Sequence, residues 1–259
     1  MPSPPEFSEV VRETDIAVKA LPEEALRHLA SALGDRPETC LVTHILRRGP
    51  CSAYVLGDPS RPAVAVIESP IWPGELITFG ADAAALWAIV RRLTGWRILQ
   101  ADPTASGELA DLIAHDTGGR IRTYDEVYNT LSGPAPVVHN DACRRLTAED
   151  VGMPGAPLFL GEVLECGVAA GVVVDGRLVA TSLSTELAAM YVDVGVYTDP
   201  EHRGRGHGTA CAALVCDGIL QAGRVPVWST SADDVVSLRI ATKLGFTGVL
   251  RRANLALVP

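Results

Sequence analysis

The first half of the chain alternates between two hydrophobic patterns. Apolar positions that recur every three or four residues predict amphipathic helices, whereas short β-rich runs bounded by turns with Gly or Pro predict strands. The predicted helices cover residues 21–34, 81–95 and 106–118, and the predicted strands cover residues 40–47, 51–57, 63–69 and 96–102. Together these elements predict a small N-terminal α/β unit.

The second half predicts a mixed sheet with helices on its faces. Asp175-Gly176 lies between two apolar runs of residues 168–184, a pattern typical of a two-residue hairpin turn. Thr147 is placed to cap a short helix before this hairpin. The remaining predicted elements are a strand at 189–198, a helix from Gly208 to Ala222, a strand at 225–231, a helix ending at Leu244 and a final strand.

A Pro-containing segment at residues 131–141 predicts a linker between two domains, 1–135 and 136–259. The two halves share a rough order of elements without readable sequence identity, and a degenerate duplication is one explanation of this. The first half lacks a glycine-rich turn between strand and helix. If the halves arose by duplication, the first half has lost its anion-binding turn.

Charge and composition narrow the expected partners. The 259 residues hold 22 Lys and Arg against 31 Asp and Glu, a formal net charge of −9, without a concentrated basic patch. We therefore expect no nucleic-acid partner, whereas a cationic small molecule is compatible with the negative field. The sequence has no apolar run near the roughly 20 residues that span a bilayer, so no membrane partner is expected.

Cysteine and histidine usage predicts neither a metal site nor a disulfide framework. Six cysteines and six histidines are spread through the chain without the paired spacing of metal ligands. The N-terminal residues lack the basic and apolar regions of a secretory signal. We therefore expect reduced thiols, a cytoplasmic location, and a monomer or homodimer.

The most informative run is DPEHRGRGHGTA, residues 199–210, which connects a predicted strand to an alanine-rich helix. A glycine-rich turn that opens a helix leaves backbone N–H groups pointing outward at the positive end of the helix dipole. Such a turn is an anion site, and Arg203 and Arg205 add positive charge to it. Thr209 can place its hydroxyl near the same anion.

Two other phosphate-binding motifs do not fit this run. A P-loop needs Lys followed by Ser or Thr after its last glycine, and this run contains no Lys. A dinucleotide fingerprint needs Gly-x-Gly-x-x-Gly, but Gly208 follows Gly206 by two residues. A tight turn that merely carries surface arginines is the remaining alternative.

The turn and a second segment together resemble the GNAT acetyltransferase superfamily. Arg203, Gly206 and Gly208 match its coenzyme A pyrophosphate signature, Arg-x-x-Gly-x-Gly. Residues 234–246, DVVSLRIATKLGF, look like its second signature, a helix that ends in Leu-Gly-Phe. The resemblance covers about residues 140–256. It is most similar to a bacterial subgroup with an additional α/β domain before the catalytic one.

This resemblance implies an α/β fold with a splayed central sheet flanked by helices in the C-terminal domain, and acetyl-CoA as co-substrate. The strand at about 190–197 separates from the strand at about 225–230, and the pantetheine arm lies in the gap. Backbone groups of Val194, Gly195 and Val196 then bind the pantetheine and the thioester carbonyl. The residues expected to hold the phosphates are Arg203, Gly204, Arg205, Gly206, His207, Gly208 and Thr209. Asp234 and Ser237 are expected near the pantetheine, with Asp234 replacing the usual Asn.

Asp193 is the leading candidate for the base that deprotonates an amine acceptor. It stands inside the apolar run Tyr191-Val192-Asp193-Val194, where an unpaired carboxylate is costly to bury. Relatives often carry Glu on this strand. Glu162 and Glu165 are the alternatives, either as base or as ligands of the ammonium group.

The general acid departs from the family pattern. Many relatives place Tyr four residues before the Gly of Leu-Gly-Phe, and this chain has Ala241 there. Tyr191, Tyr197, Ser229 and Ser237 remain as substitutes, with solvent as a further proton source. Among them, Tyr197 and Ser237 are retained as catalytic candidates beside Asp193.

The resemblance therefore predicts an acyl-CoA-dependent N-acyltransferase that moves an acetyl group to a primary amine of a small molecule. One alternative keeps the coenzyme but decarboxylates an acyl-CoA or transfers the acyl group to a carrier-protein thiol. Another is a coenzyme A-binding module without catalysis. The sequence does not distinguish the acceptor, and net charge only favours a cationic one.

Overall fold

The computed structural model describes residues 20–136, 138–184 and 190–258. The helices are α1 Glu23–Leu33, α2 Cys40–Arg48, α3 Ala83–Val90, α4 Pro103–Thr117, α5 Leu160–Cys166, α6 His207–Gln221 and α7 Val235–Lys243, with short 3-10 helices at Ala148–Asp150 and Pro200–His202. The strands are β1 Ser52–Asp58, β2 Arg61–Glu68, β3 Glu75–Phe79, β4 Ile98–Ala101, β5 Arg120–Thr130, β6 Cys143–Arg145, β7 Ala169–Val174, β8 Arg177–Ser184, β9 Tyr191–Thr198, β10 Val225–Ser231 and β11 Thr247–Val258.

The described strands form one continuous sheet in which the two halves of the chain exchange strands. The spatial order is β1-β2-β3-β4-β11-β5-β10-β9-β8-β7-β6. The last strand, β11, lies between β4 and β5, and β5 in turn pairs with β10 of the second half. Strand β5 of the first half therefore lies directly beside β10 of the second half. The division between residues 135 and 136 falls between β5 and β6, and it stays a prediction.

The same pairing pattern occurs in both halves. Strands β1, β2 and β3 are antiparallel neighbours, and β3 pairs in parallel with β4. Strands β7, β8 and β9 repeat this arrangement, and β9 pairs in parallel with β10. The predicted mixed sheet with helices on its faces is confirmed, and this repetition accounts for the shared element order seen in the sequence.

The predicted strand at 40–47 is wrong, because this segment forms helix α2. Its buried residues are Cys40, Val42, Thr43, Ile45 and Leu46, which fall into two rows spaced three residues apart on one helical face. Arg47 and Arg48 stand in the last turn, where positive charge favours a helix C-terminus. The β-branched residues of the run suggested a strand, but tertiary packing selects the helix.

The local turn predictions are confirmed. Asp175 and Gly176 both have positive φ, 49° and 73°, as a two-residue hairpin between β7 and β8 requires. Thr147 caps the short helix Ala148–Asp150, and its backbone N–H donates to Asp150 Oδ2 over 2.8 Å. The predicted strand start at residue 189 lies outside the described residues.

The sheet opens between β9 and β10. Their parallel pairing runs only from Tyr191 opposite Val225 to Asp193 opposite Val227. Beyond Asp193, β9 continues paired with β8 alone through residue 198. The predicted splay of these two strands is therefore confirmed, and it begins at the candidate base.

Candidate functional site

A cleft of about 810 Å³ occupies the opening between β9 and β10. Its walls come from the free edge of β9, the turn before α6, and helix α7. The predicted site residues that line it are Asp193, Val194, Gly195, Val196, Tyr197, Arg203, Gly204, Gly206, His207, Gly208, Thr209, Asp234 and Ser237. The fold thus brings nearly all of the sequence-predicted residues to one cleft, and Arg205 lies in the same turn.

The glycine turn at the start of α6 has the backbone geometry of an anion site. Gly204 and Gly206 adopt φ of 77° and 78°, a region that L side chains rarely occupy, and α6 begins at His207. A Cβ atom added to either glycine meets no atom within 4 Å, so the surface of the turn is open. Backbone N–H groups of the first helical turn are therefore accessible to an anion.

Gly208 serves a different purpose from its two neighbours. A Cβ atom at this position would come 2.9 Å from Thr198 Oγ1 and 3.1 Å from Val196 Cγ1. Glycine therefore allows α6 to approach β9 closely. This approach sets the distance between the anion turn and the open edge of β9.

Both arginines of the turn are held by main-chain carbonyls and remain exposed. Arg203 Nε donates to the carbonyl of Thr198 over 3.1 Å, and an Arg205 guanidinium nitrogen donates to the carbonyl of Glu201 over 3.3 Å. Neither contact neutralises the positive charge. Burial lowers the pKa of His207, and the nearby Arg205 and His202 lower it further. The neutral form of the imidazole ring is therefore favoured over the charged form.

The corresponding turn of the first half is unsuited to an anion. Asp82 caps α3 there, and its Oδ1 accepts a hydrogen bond from the N–H of Ala85 over 2.9 Å. A Cβ atom at Gly80 would come 2.6 Å from the carbonyl oxygen of Ala63. A carboxylate already occupies this helix N-terminus, and the turn is tightly packed. The two halves therefore differ at the position where the second half presents open amides.

Helix α7 closes the opposite wall of the cleft. Asp234 caps this helix, and its Oδ1 accepts from the N–H of Ser237 over 2.9 Å. The Ser237 hydroxyl in turn accepts a hydrogen bond from Trp228 Nε1 over 2.9 Å. These bonds fix the position of α7 beside β10. They also commit the Asp234 carboxylate to a structural contact in addition to its place on the cleft.

Asp193 lies where three cavities meet. It lines the cleft and also two cavities on the other side of the opening. Its Oδ1 accepts a hydrogen bond from the Ser229 hydroxyl over 2.9 Å. Ser229 lies on β10, two residues beyond Val227, which is the last residue of β10 that pairs with β9. A carboxylate held there can reach a group that enters from either side.

The smaller of these cavities, which we call the inner cavity, measures about 270 Å³. Its lining residues come mainly from α2, β3, β4, β5, β9, β10 and β11, so both halves of the chain contribute to it. Its polar lining residues are Glu38, Glu75, Gln100, Tyr124, Glu126, Tyr128, Asp193, Ser229 and Asn254. The inner cavity shares Asp193 and Ser229 with the cleft.

The larger cavity, which we call the outer cavity, measures about 730 Å³ and lies between α2 and α5. Glu162 and Glu165, the alternative bases of the sequence analysis, line it together with His44 and Arg48. It shares Leu41 and Trp72 with the inner cavity. The outer and inner cavities are therefore adjacent, and Asp193 borders both.

Sequence reasoning missed the residues of β5 that line the inner cavity. Glu126 Oε2 accepts from Asn254 Nδ2 over 3.2 Å, and the Tyr128 hydroxyl donates to Gln100 Oε1 over 3.2 Å. Burial raises the pKa of Glu126 to about 7, with further contributions from the charges of Asp193 and Glu75. The alternating residues of RIRTYDEVYNT carry a strand signal, but nothing local indicates that this strand pairs with β10 and β11.

The candidates for the general acid lie in different environments. Tyr197 is 53% exposed, and Asp199, which accepts a hydrogen bond from its hydroxyl, raises the pKa of that hydroxyl. Tyr191 packs against the cluster of Cys40, Tyr128 and Val227. Of the hydroxyl candidates, Ser229 is the one whose bond to Asp193 is observed at the junction. Ala241 is buried and offers no hydroxyl.

The described residues contain no group of three or more His, Cys, Asp or Glu side chains that could hold a metal ion. None of the helices in the described part of the chain combines the length and the apolar character needed to cross a membrane. The six cysteines carry free thiols, and the sulfur atoms of Cys143 and Cys211 lie 3.3 Å apart.

Solved structures with the same fold cover nearly the whole chain. A GCN5-related N-acetyltransferase-like protein from Streptococcus suis matches 91% of this chain and 99% of its own, with a TM-score of 0.61 and 20% identity. A protein from Drosophila matches 93% and 98%, with a TM-score of 0.69 and 17% identity. A tandem GNAT protein from the clavulanic acid biosynthesis pathway matches 92% and 94%, with a TM-score of 0.52 and 15% identity. No curated protein sequence matches the chain.

The fold is thus a mixed α/β architecture with a large splayed sheet flanked by helices, and these structures are similar to it. Residues 164–250 match the model of the GNAT acetyltransferase family, a segment that includes β9, the glycine turn, α6, β10 and α7. The predicted resemblance to the GNAT superfamily is therefore confirmed for this segment.

Proposed function

We propose that this protein is an acyl-CoA-dependent N-acyltransferase that moves an acetyl group from acetyl-CoA to a primary amine of a small molecule. The match of residues 164–250 to the GNAT acetyltransferase model supports an acyltransferase kind of function. The observation that carries the finer proposal is the continuous path from the open glycine turn, along the unpaired edge of β9, to Asp193. A cytoplasmic location stays a prediction.

The residues of the cleft fit the coenzyme. The diphosphate needs accessible amides and positive charge, which Gly204, Gly206 and the exposed Arg203 supply. The pantetheine arm needs backbone partners, and β9 has no neighbour from β10 beyond Asp193. When bound, the coenzyme supplies an activated thioester. Residues of the cleft would hold and orient it.

Asp193 is proposed as the base that removes a proton from the acceptor. An alkylammonium group has a pKa near 10.4, so forming the neutral amine at pH 7 costs about 4–5 kcal/mol. After the amine nitrogen bonds to the acetyl carbon, the carbon–sulfur bond breaks and the second amine proton reaches the departing thiolate. One proton is released to solvent through Asp193, and the products are the N-acetyl amine and free coenzyme A.

Ser229 is our candidate for the group beside Asp193 that holds a proton and returns it during acetyl transfer. Its hydroxyl donates to Asp193 over 2.9 Å and faces both the cleft and the inner cavity. Tyr197 and Ser237 also line the cleft, but Tyr197 is bonded to Asp199 and Ser237 to Trp228. We therefore rank Ser229 first for this role.

Thermal unfolding with acetyl-CoA tests the coenzyme site. Millimolar acetyl-CoA should raise the Tm of the wild type, because it binds the folded state selectively. Gly206→Trp and Arg203→Glu should abolish this shift. Gly118→Trp is the matched control, because Gly118 also has positive φ, 65°, with an open Cβ position, but caps the distant helix α4. Absence of a wild-type shift would contradict the proposal.

Product analysis separates the proposed reaction from its alternatives. With acetyl-CoA and an amine, mass spectrometry should detect an N-acetyl product and free coenzyme A in equal amounts. Release of carbon dioxide from malonyl-CoA without an acyl-amine product would favour the decarboxylase alternative. A coenzyme-dependent Tm shift without turnover on any amine or carrier thiol would favour a binding module.

A further inference from the structure

The inner cavity has an unusual charge balance. Of the described residues that line it, four are acidic, namely Glu38, Glu75, Glu126 and Asp193, and none is basic. Glu75 and Glu126 take part in no ion pair within the described part of the chain. Like charges that line one cavity raise each other's energy unless a cation joins them.

The cation opposite Glu126 in the sheet makes no ion pair with it. Arg252 is the cross-strand partner of Glu126 in the β5–β11 ladder. Its guanidinium instead donates to the carbonyl of Thr78 and lies 4.5 Å from the centre of the Phe79 ring. The guanidinium of Arg252 thus bonds to β3, and among the described residues Glu126 accepts a hydrogen bond from the neutral Asn254 amide.

Glu38 gives a second indication that the cavity receives a ligand. Its side chain is only 11% exposed, and its Oε1 pairs with Arg36 Nε over 3.2 Å. Its Oε2 is buried and accepts no hydrogen bond from any described residue. A buried carboxylate oxygen without a donor is costly, and a donor that enters the cavity with the ligand removes that cost.

The remaining lining suits a short aliphatic chain. Leu41, Leu76 and Ile98 provide apolar walls, and Trp72 and Tyr124 provide aromatic ones. At about 270 Å³ the cavity is below the roughly 300–1,000 Å³ range of typical ligand pockets. A compact chain with a charged end fits these dimensions, whereas a ring-built aminoglycoside does not.

We propose that the inner cavity binds a second ammonium group of the acceptor, so that the substrate class is a small aliphatic diamine. This inference rests on the proposed function. The reacting nitrogen lies at Asp193, where it loses its charge, and the distal ammonium lies between Glu126 and Glu38. The distal charge persists through the reaction and compensates the carboxylates of the cavity. Glu126 is here a specificity-determining residue.

Paired substrates provide the test. Acetyl transfer to 1,4-diaminobutane is compared with transfer to n-butylamine, which has the same chain and lacks the second charge. We expect the wild type to prefer the diamine by roughly tenfold or more in kcat/KM, because n-butylamine leaves the carboxylates of the cavity without the second ammonium group. The difference should lie chiefly in KM. In Glu126→Gln this preference should fall towards one. The control Glu108→Gln, at an exposed site on α4, should keep it.

A second readout does not depend on turnover. Millimolar 1,4-diaminobutane should raise the Tm of the wild type more than n-butylamine does, and Glu126→Gln should lose this difference. Equal shifts for both amines, or a diamine preference that survives in Glu126→Gln, would overturn the inference. A diamine-specific Tm shift without any acetyl transfer would instead support the cavity and contradict the proposed function. Glu75→Gln provides a second variant at an exposed position, where misfolding is not expected.

Discussion

The Ser229 hydroxyl donates to Asp193 Oδ1 over 2.9 Å at the point where β9 and β10 separate. The bond therefore spans the opening where we propose that the coenzyme and the acceptor meet. It orients a carboxylate that three cavities share. The position of Asp193 follows from the sheet, and its direction follows from Ser229.

Removing this hydroxyl should impair turnover more than binding. Ser229→Ala is expected to lower kcat for acetyl transfer by roughly tenfold, because Asp193 loses a donor that orients it. KM for acetyl-CoA should change little. Ser229→Thr keeps a hydroxyl and should recover most of kcat in the same steady-state assay. A kcat for Ser229→Ala equal to that of the wild type would remove Ser229 from the mechanism.

Replacing the proposed base should separate coenzyme binding from chemistry. Asp193→Asn is expected to reduce acetyl transfer on the order of 100-fold, the usual scale for loss of a general base. The Tm shift caused by acetyl-CoA should persist, because the glycine turn proposed to bind the phosphates is unchanged. The measurements are single-turnover kinetics and thermal unfolding. Unimpaired transfer by the variant would show that another group accepts the proton.

Two helical glycines should respond with opposite signs when changed to alanine. Gly208→Ala places a Cβ atom 2.9 Å from Thr198 Oγ1, and we expect it to lower the free energy of unfolding by about 1–3 kcal/mol. It should also weaken acetyl-CoA binding, because α6 is pushed from β9.

Gly107→Ala is the matched control on helix α4. Its Cβ atom meets nothing within 4 Å, so the change should raise the free energy of unfolding by about 0.5–1 kcal/mol. Urea denaturation of both variants tests the pair. A stabilised Gly208→Ala would contradict the close packing of α6 on β9.

The raised pKa of Glu126 predicts a stability that depends on pH. Its folded-state pKa is about 7 against an ordinary value of 4.5, so the folded protein binds more protons than the unfolded chain between these values. Its contribution to the free energy of unfolding therefore decreases as pH rises from about 4.5 to about 7. Glu126→Gln has no titrating carboxyl group at this position. At pH 7 the variant should therefore recover on the order of 1–3 kcal/mol in the free energy of unfolding.

Denaturation of Glu126→Gln and wild type at several pH values measures this effect. The variant should gain stability relative to the wild type as pH rises to about 7, and the gain should then level off. Glu108→Gln should follow the wild type throughout. A difference between Glu126→Gln and wild type that is the same at pH 4 and pH 8 would contradict a shifted carboxyl at this position.

The parts of the site that could be predicted from sequence are those with local causes. Gly204 and Gly206 follow a strand and precede a helix, and this arrangement alone indicates exposed amides. The hairpin at Asp175-Gly176 was equally readable, since both residues tolerate positive φ.

The parts that could not be predicted depend on contacts between distant segments. Glu126 reaches the inner cavity only because β5 inserts between β10 and β11, and residues 120–130 carry no local sign of that pairing. Residues 40–47 have a strand-like composition, but the burial of one helical face stabilises a helix there. Strand exchange and tertiary packing thus hid the residues of the inner cavity, whereas the residues of the glycine turn could be predicted from the sequence.

A crystal structure with bound coenzyme A tests the central claim most directly. We predict diphosphate oxygens at hydrogen-bond distance, about 3 Å, from backbone N–H groups between Gly204 and Thr209. We also predict the pantetheine along the edge of β9 at residues 194–196, with its sulfur beside Asp193. Coenzyme bound elsewhere, with the space between β9 and β10 filled by protein side chains, would contradict the account.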